Sequence, residues 1–335
     1  MNKLLLAFSF VVTAVLTADA RAERAASIEY DFIARPDNLP QAFDAPAGAM
    51  LRFLAIKAVD GYRVDGALWH PGDKPPAATT LLVGVHGTGG NYARSTTAFL
   101  GPGLVAKGYA MLAINTRQHD ELAYTDNFVE IRRDIEAAVY TARALGYRTL
   151  VLYGQSLGTI QVQYYAANNW DADIKAVVLT GMFANLPWKT RHILVQNEDN
   201  FRQLSESAFK LLREGKQGDL LAVPMRTFTG EDVPLTAQHF FSYRSEASGT
   251  ADGTYWIKRI PRPVLMVRDA GDAFIQPFEP YMLLSAATSA GSLVPSIKYV
   301  MLPNEKGASP AAHGFADNKA PLIETIATWL ADQHL

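Results

Sequence analysis

The sequence predicts an α/β domain with a mostly parallel central sheet and helices on both of its faces. From residue 79 onward, short apolar runs alternate with segments of helical periodicity, which is typical of β-α units on a parallel sheet. Residues 149–169 also pass from an apolar run through a tight, glycine-flanked turn into a helical pattern. With 335 residues, the chain can bury a large core without support from a metal or a disulfide.

A signal peptide is predicted over residues 1–22. Lys3 supplies a basic start, residues 4–16 form an apolar run, and residues 18–22 offer small-residue cleavage sites. The apolar run is shorter than the roughly 20 residues that a membrane-spanning helix needs. We therefore expect a mature protein that begins near Glu23, a periplasmic or secreted location, and no stable membrane anchor after cleavage.

Composition narrows the classes of partner and cofactor. The chain has 31 Lys and Arg residues against 33 Asp and Glu residues, so its charge gives no reason to expect nucleic acid or an anionic membrane as a partner. It contains no cysteine, which excludes disulfides, a lipid-modified cysteine and thiolate metal ligands. His70, His192, His239 and His334 show no metal-ligand spacing. We expect a small-molecule substrate, no metal and no cofactor, and the oligomeric state stays open.

The N-terminal region after the signal peptide is predicted to be an extended surface arm, residues 23–50, because it lacks clear periodicity and contains several prolines. The main domain is predicted to span residues 51–335. Its first elements are two strands, 51–59 and 62–70, since the Asp-Gly pair between them, flanked by alternating apolar residues, is typical of a β-hairpin.

Apolar runs and helical periodicity predict the remaining elements of the domain. Buried strands are expected at 79–86, 109–115, 174–180, 264–267 and 297–302, and helices at 94–107, 127–145 and 321–332, in addition to the strand and helix of 149–169. The interval 182–260 is far longer than an ordinary connection and is rich in aromatic residues. We predict that it is an inserted, mainly helical cap.

The turn at residues 154–158, with the sequence GQSLG, is the centre of the functional prediction. If a strand enters this turn and a helix leaves it, Ser156 lies on a sharp corner with its hydroxyl exposed above the edge of the sheet. The amide of Leu157, at the start of the helix, can then face a developing negative charge. Ser156 is therefore predicted to be a nucleophile, and Gln155 beside it a possible pocket residue.

A second glycine-rich loop, HGTGG at residues 86–90, follows the first buried strand of the parallel part. Its glycines allow backbone amides to turn inward, and Thr88 or Gly89 is predicted to supply a second oxyanion donor. A nucleotide phosphate loop is disfavoured, because there is no GxGxxG pattern and no Gly-Lys-Ser/Thr ending. His86 is a possible substrate contact or a buried histidine bonded to backbone. His119 is expected either to line the pocket or to belong to a surface loop.

With these motifs in this order, residues 51–335 resemble an α/β-hydrolase of the serine esterase and lipase type. The resemblance rests on the HGTGG loop, the GQSLG turn, and the segments RPVLMVRDAGD (262–272) and AAHGF (311–315). In that superfamily the acid follows a late strand and the histidine comes last. The resemblance therefore implies Asp272 as the acid, with Asp269 as the second choice, and His313 as the base.

The resemblance implies hydrolysis of a carboxylic ester of a small or acyl-chain substrate through an acyl-enzyme on Ser156. His313, oriented by Asp272, would take and return the proton. The cap would shape the pocket and exclude water. Two alternatives stay open: a peptidase or a lactone- or dienelactone-type hydrolase on the same fold, and a catalytically inactive binding protein that retains the fold.

Overall fold

The computed structural model describes residues 28–195, 197–227 and 229–335. The predicted signal peptide, residues 1–22, and the first residues of the predicted arm lie outside this part of the chain. Within the described residues, no helix is both long enough and apolar enough to cross a membrane.

A nine-stranded sheet forms the centre of the molecule, in the order β1-β2-β3-β5-β4-β6-β7-β10-β11. The strands are β1 (Glu29–Ile33), β2 (Ala49–Lys57), β3 (Arg63–Pro71), β4 (Thr80–Val85), β5 (Ala110–Asn115), β6 (Thr149–Gln155), β7 (Ile174–Thr180), β8 (Met225–Arg226), β9 (Asp232–Val233), β10 (Val264–Asp269) and β11 (Ile297–Leu302). From β5 to β11 in this order the strands are parallel, whereas β1, β2 and β3 add an antiparallel edge. The predicted mostly parallel sheet is confirmed, and β8 and β9 form a separate ribbon.

Helices cover both faces of the sheet, as predicted. They are α1 (Thr97–Val105), α2 (Ile131–Ala144), α3 (Leu157–Asn168), α4 (Leu186–Lys189), α5 (Glu198–Arg213), α6 (Ala237–His239), α7 (Gly253–Ile257), α8 (Glu279–Ala287), α9 (Pro310–His313) and α10 (Lys319–Asp332). In β4, Leu82 shares a buried apolar cluster with Leu100 of α1, whereas the next residue, Val83, shares another with Val139 of α2. Successive side chains of a strand point to opposite faces, so two separate cores flank the sheet.

The observed boundaries of most elements lie within a few residues of the predicted ones. Strands β7 and β11 have the predicted bounds. Strand β10 continues to Asp269, and helix α1 begins only at Thr97. The first turn of the predicted helix 127–145 is a 3-10 turn, Phe128–Glu130, which precedes α2.

The predicted β-hairpin is confirmed. Strands β2 and β3 pair in one continuous antiparallel register from Ala49 opposite Pro71 to Lys57 opposite Arg63. Gly61 in the connecting turn has φ of +82°, a backbone conformation that glycine adopts without steric cost.

The predicted arm contributes to the sheet, which the sequence did not indicate. Glu29–Ile33 forms the edge strand β1, paired with β2 from Glu29 opposite Lys57, and β2 itself begins at Ala49 rather than at residue 51. The side chain of Phe43 is buried, with its ring centroid 5.1 Å from that of Trp69. Strand β1 is mostly exposed, so it lacks the alternation of a half-buried strand, and its pairing depends on a distant segment.

Residues 182–260, here called the insert, connect β7 and β10, which are neighbours in the sheet. The insert contains α4 to α7, the β8-β9 ribbon and two π-helical turns, Thr190–Leu194 and Phe240–Arg244. Its own core includes Phe201, Leu204 and Ala208 of α5. Its two ends meet, because the amide of Leu186 donates to the carbonyl oxygen of Ala251 at 3.1 Å.

Candidate functional site

Ser156 lies on the corner between β6 and α3, with φ of 55° and ψ of −123°. This conformation is rare for a residue with a side chain. The flanking glycines are sterically required: a Cβ on Gly154 would lie 2.4 Å from the carbonyl oxygen of Gly158, and a Cβ on Gly158 would lie 2.5 Å from that of Val85. The amide of Ser156 donates to the carbonyl oxygen of Thr180 at 2.9 Å. The local sequence therefore sets the predicted strand-turn-helix geometry.

The structure brings three predicted site residues together. Nε2 of His313 lies 2.8 Å from Oγ of Ser156, and Nδ1 of His313 lies 2.8 Å from Oδ2 of Asp272. Asp272 follows β10, and His313 is the last residue of α9, so residues distant in the chain meet at one edge of the sheet. The rings of Phe274 and Phe183 flank that of His313, with centroids 5.2 and 6.2 Å away.

Asp272 is held ionised by its surroundings. Its Oδ1 accepts hydrogen bonds from the amides of Phe274 at 2.9 Å and Ile275 at 3.1 Å. Burial opposes ionisation of this carboxyl. The hydrogen bond and charge interaction with His313, together with the two amide hydrogen bonds, outweigh burial and hold the pKa of Asp272 below its ordinary value. A carboxylate at this place favours the proton of His313 on Nδ1, which leaves Nε2 able to accept one.

Asp269, the second choice for the acid, has a different environment. Its Oδ1 accepts from the amide of Gly271 and from Nδ2 of Asn304, and its Oδ2 accepts from Nδ2 of Asn318, each at 2.8 Å. These bonds tie the end of β10 to the loop after β11 and to the start of α10. Asp269 therefore has structural partners, and the structure pairs His313 with Asp272 instead.

The loop of residues 86–90 lies beside Ser156. Gly87 is close to the proposed nucleophile, because a Cβ there would lie 3.2 Å from Oγ of Ser156. Gly87 and Thr88 line the same cavity as Ser156. Gly89 has φ of +62°, and a Cβ there would lie 3.6 Å from that of Ala123. Gly87 was missed as a site residue, although it stands within the motif.

Leu157 is the buried first residue of α3, so its amide has no acceptor within the helix. Of the three possible pocket residues, Gln155 lines the cavity and donates to the carbonyl oxygen of His313 at 3.5 Å. His86 is not among the lining residues; it is buried, with Nδ1 2.7 Å from the carbonyl oxygen of Gly87, and burial lowers its pKa to about 4. His119 is also outside the lining and pairs with Asp120 at 2.9 Å.

Above Ser156 and His313 lies an open cavity of about 1100 Å³. The insert contributes Phe183, Leu186, Leu194, Met225, Thr227, Thr229, Glu231, Val233 and Arg244 to its lining. Residues of the predicted arm, such as Phe43, line it as well. In the described part of the chain, no cluster of His, Asp and Glu side chains is suited to hold a metal ion.

Two further residues that support the site gave no sequence signal. Gly181, directly after β7, has φ of +55°, and a Cβ there would lie 3.1 Å from Cε1 of His313. Lys189 of α4 is fully buried and pairs with Glu279 of α8. Charged side chains are rarely buried, so no pattern in the sequence marks this pair. Both features act on the surroundings of His313 and Asp272.

With this geometry established, residues 80–283 match the family described as alpha/beta hydrolase fold. The chain belongs to this family. No curated protein is significantly similar to it. Among solved structures, Est1E from Butyrivibrio proteoclasticus with bound ferulic acid is similar over 82% of this chain and 96% of its own, with 18% identity and a TM-score of 0.60.

Two other solved structures of this fold are similar over nearly their whole length. A thermostable carboxyl esterase from Bacillus coagulans, in complex with glycerol, is 15% identical, with a TM-score of 0.62, and the similarity covers 87% of this chain and 100% of that one. A hypothetical protein from Pseudomonas aeruginosa is 17% identical, with a TM-score of 0.61, covering 90% of this chain and 100% of that one. At such identities the similarity concerns the fold alone.

Proposed function

We propose that this α/β-hydrolase family member is a serine hydrolase that cleaves carboxylic esters. The observation that carries the proposal is the pair of 2.8 Å contacts that join Ser156 to His313 and His313 to Asp272 at the floor of the cavity. This is the geometry in which a histidine activates a serine hydroxyl for attack on a carbonyl carbon.

The proposed reaction has two halves. Oγ of Ser156 attacks the ester carbonyl while Nε2 of His313 takes its proton, and amides of Leu157 and of the loop at Gly87 and Thr88 stabilise the oxyanion. His313 then returns the proton to the departing alcohol, which leaves an acyl-enzyme. Water then attacks the acyl carbon while Nε2 of His313 takes its proton. The bond from the acyl carbon to Oγ breaks, His313 returns the proton to Oγ of Ser156, and the carboxylic acid is released. No cofactor takes part.

The choice of an ester is supported by analogy. One of the similar structures is a carboxyl esterase and another holds ferulic acid, but a shared fold alone does not transfer an activity. The lining contributed by residues 182–260 supports a role for the insert as a cap that shapes the pocket.

We further propose that residues 1–22 are removed during export to the periplasm or medium. The N-terminal sequence of protein recovered outside the cytoplasm tests this, and an intact Met1 there would contradict cleavage.

The experiment compares wild type with Ser156→Ala on a short-chain 4-nitrophenyl ester and on a fluorescent phosphonate probe. Ser289→Ala, at an exposed position, is the control. We expect Ser156→Ala to lose hydrolysis by a factor of about 10³ or more and to lose labelling, while the control retains both. Full activity or labelling in Ser156→Ala would overturn the proposal. A lactone and an aminoacyl amide in the same panel distinguish the related reactions.

A further inference from the structure

Arg244 occupies an unusual position for a cation. It is the last residue of the π-helical turn Phe240–Arg244, its exposed fraction is 4%, and it lines the cavity that contains Ser156 and His313. Short π-helical segments are frequent at functional sites. Arg244 is thus a buried charge that borders the space above the proposed nucleophile.

The guanidinium of Arg244 has few partners among the described residues. One terminal nitrogen lies 3.5 Å from Oγ1 of Thr190, and the guanidinium carbon lies 5.8 Å from the ring centroid of Tyr124. Nε is buried without a hydrogen-bond partner. Burial lowers the pKa of Arg244, and the charge interaction with the hydroxyl groups of Tyr124 and Tyr243 opposes this effect. A buried cation without a carboxylate costs folding free energy.

Two other arginines, Arg117, which is mostly buried, and Arg268, which is buried, show what a purely structural role requires. Arg117 forms several hydrogen bonds with the carboxylate of Asp134. Arg268 shares with Arg244 a buried Nε that has no hydrogen-bond partner, but its terminal nitrogen donates to the carbonyl oxygens of Asp272 at 3.1 Å and Ile275 at 3.0 Å, and so holds the acid turn. Arg244 makes no comparable set of contacts with the described residues. A different reason is therefore needed for its place in the cavity wall.

The charges that line the cavity are mostly positive. They are Arg94, Lys319 and Arg244 against Glu231. Arg94 is exposed and already pairs with Asp120. On the insert side, apolar residues such as Leu194 and Met225 line the cavity with Arg244. On the side of this apolar wall an anion would be shielded from water, although the cavity is open on another side, and lower exposure to water strengthens its attraction to the guanidinium.

We propose that Arg244 binds a carboxylate group of the substrate, so that the preferred substrates are esters of acids that carry a second, ionised carboxyl group. The inference rests on the proposed function for the reaction, although anion binding itself does not require catalysis. A guanidinium offers five donors in a planar fork that matches a carboxylate in two-point contact. Arg244 is thus a specificity-determining residue.

The kinetic test compares two esters of equal acyl length, 4-nitrophenyl pentanoate and the 4-nitrophenyl half-ester of glutaric acid. The measured quantity is the ratio of kcat/KM for the anionic ester to that for the neutral one. We expect Arg244→Met to lower this ratio by about ten- to a hundredfold, and Arg244→Lys to lower it less. Arg202→Met, which removes an exposed arginine of α5, is the matched control and should leave the ratio as in wild type. An unchanged ratio in Arg244→Met would overturn the inference.

Calorimetric titration with glutarate separates this inference from the proposed reaction. We expect wild type and Arg202→Met to bind glutarate, and Arg244→Met to bind it at least tenfold more weakly. If no ester is cleaved but this pattern is found, the anion site stands and the hydrolase proposal fails. If the neutral ester is cleaved while glutarate binds equally to Arg244→Met, the anion site fails alone. Thermal unfolding verifies that Arg244→Met is folded; removal of an unpaired buried charge should not lower its Tm.

Discussion

The ammonium group of Lys189 donates a hydrogen bond to the carbonyl oxygen of Phe274 at 2.6 Å. Lys189 lies in the insert, and Phe274 lies in the turn that presents Asp272 to His313. Glu279 pairs with Lys189 and also accepts from the amide of Gln276 at 2.8 Å. The turn of the proposed acid is therefore fastened to the insert by a buried ion pair.

Substitution of Lys189 by methionine tests the importance of this connection. The change leaves the Glu279 carboxylate buried without its cation and removes the hydrogen bond to Phe274. We expect the free energy of unfolding to fall by about 3–5 kcal/mol, measured by urea denaturation, and kcat to fall because the turn of Asp272 loses a support. Lys210→Met, at an exposed position of α5, is the control. Equal stability of the two variants would show that the pair has no such role.

The two aspartates of the β10 turn should respond differently to conversion into asparagine. Asp272→Asn removes the charge that orients His313, and we expect kcat to fall by about 10³- to 10⁴-fold with little change in Tm. Asp269→Asn disturbs the contacts with Asn304 and Asn318, so we expect it to lower Tm while kcat, measured well below that Tm, falls far less. Steady-state kinetics and thermal unfolding of both variants check this. The reverse assignment of the acid would follow if Asp269→Asn had the larger effect on kcat.

Gly181 is predicted to be intolerant of a side chain for two separate reasons. Its positive φ strains any other residue, and a Cβ would lie 3.1 Å from the ring of His313. We expect Gly181→Ala to lower kcat by about 10- to 100-fold, because small displacements of a reacting group are costly. Gly291 also has a positive φ, of +78°, but nothing lies within 4 Å of a Cβ there. Gly291→Ala thus carries the backbone strain alone, and a similar kcat in both variants would contradict crowding of His313.

Asp126 should make stability depend on pH. Its side chain is mostly buried, with 12% exposed. It accepts a hydrogen bond from Gln118, and burial raises its pKa to about 7. Between about pH 4 and pH 7 the unfolded chain releases a proton that the folded protein retains, so this residue lowers stability as pH rises through that window. We expect Asp126→Asn to raise Tm at pH 8 and to change it little at pH 4. A Tm difference independent of pH would contradict this expectation.

The sequence was most informative where a short segment sets its own geometry. The corner at Ser156 was predictable because only glycine fits at positions 154 and 158, where a Cβ would collide with neighbouring carbonyl groups. The hairpin turn at Gly61 was predictable because local backbone preferences favour it. In both cases the physical requirement lies within a few residues of the motif.

The meeting of Ser156, Asp272 and His313 followed from the resemblance to a known family, but other features that depend on contacts between distant segments could not be predicted. The burial of Lys189 requires Glu279, which lies in a different helix, after β10 in the chain. The edge strand β1 has no strong pattern of its own and is defined by its pairing with β2. The position of Arg244 follows from the path of the whole insert, and nothing in its immediate sequence separates it from an exposed arginine.

The closed base of the insert makes the chain between Thr190 and Ala251 a single excursion from the sheet domain. Asn185 and Asp252 pair as an isolated β-bridge, so the chain leaves and re-enters the sheet domain at one place. A segment of another length can replace the chain between Thr190 and Ala251 without lengthening the path from β7 to β10, if it also replaces the packing of Tyr243 against Phe128 and Leu157. Such a chimera would keep Ser156, Asp272, His313 and Lys189, while it acquires a new wall around the cavity. The fold thus offers a route to cavities of other shapes above the same three residues.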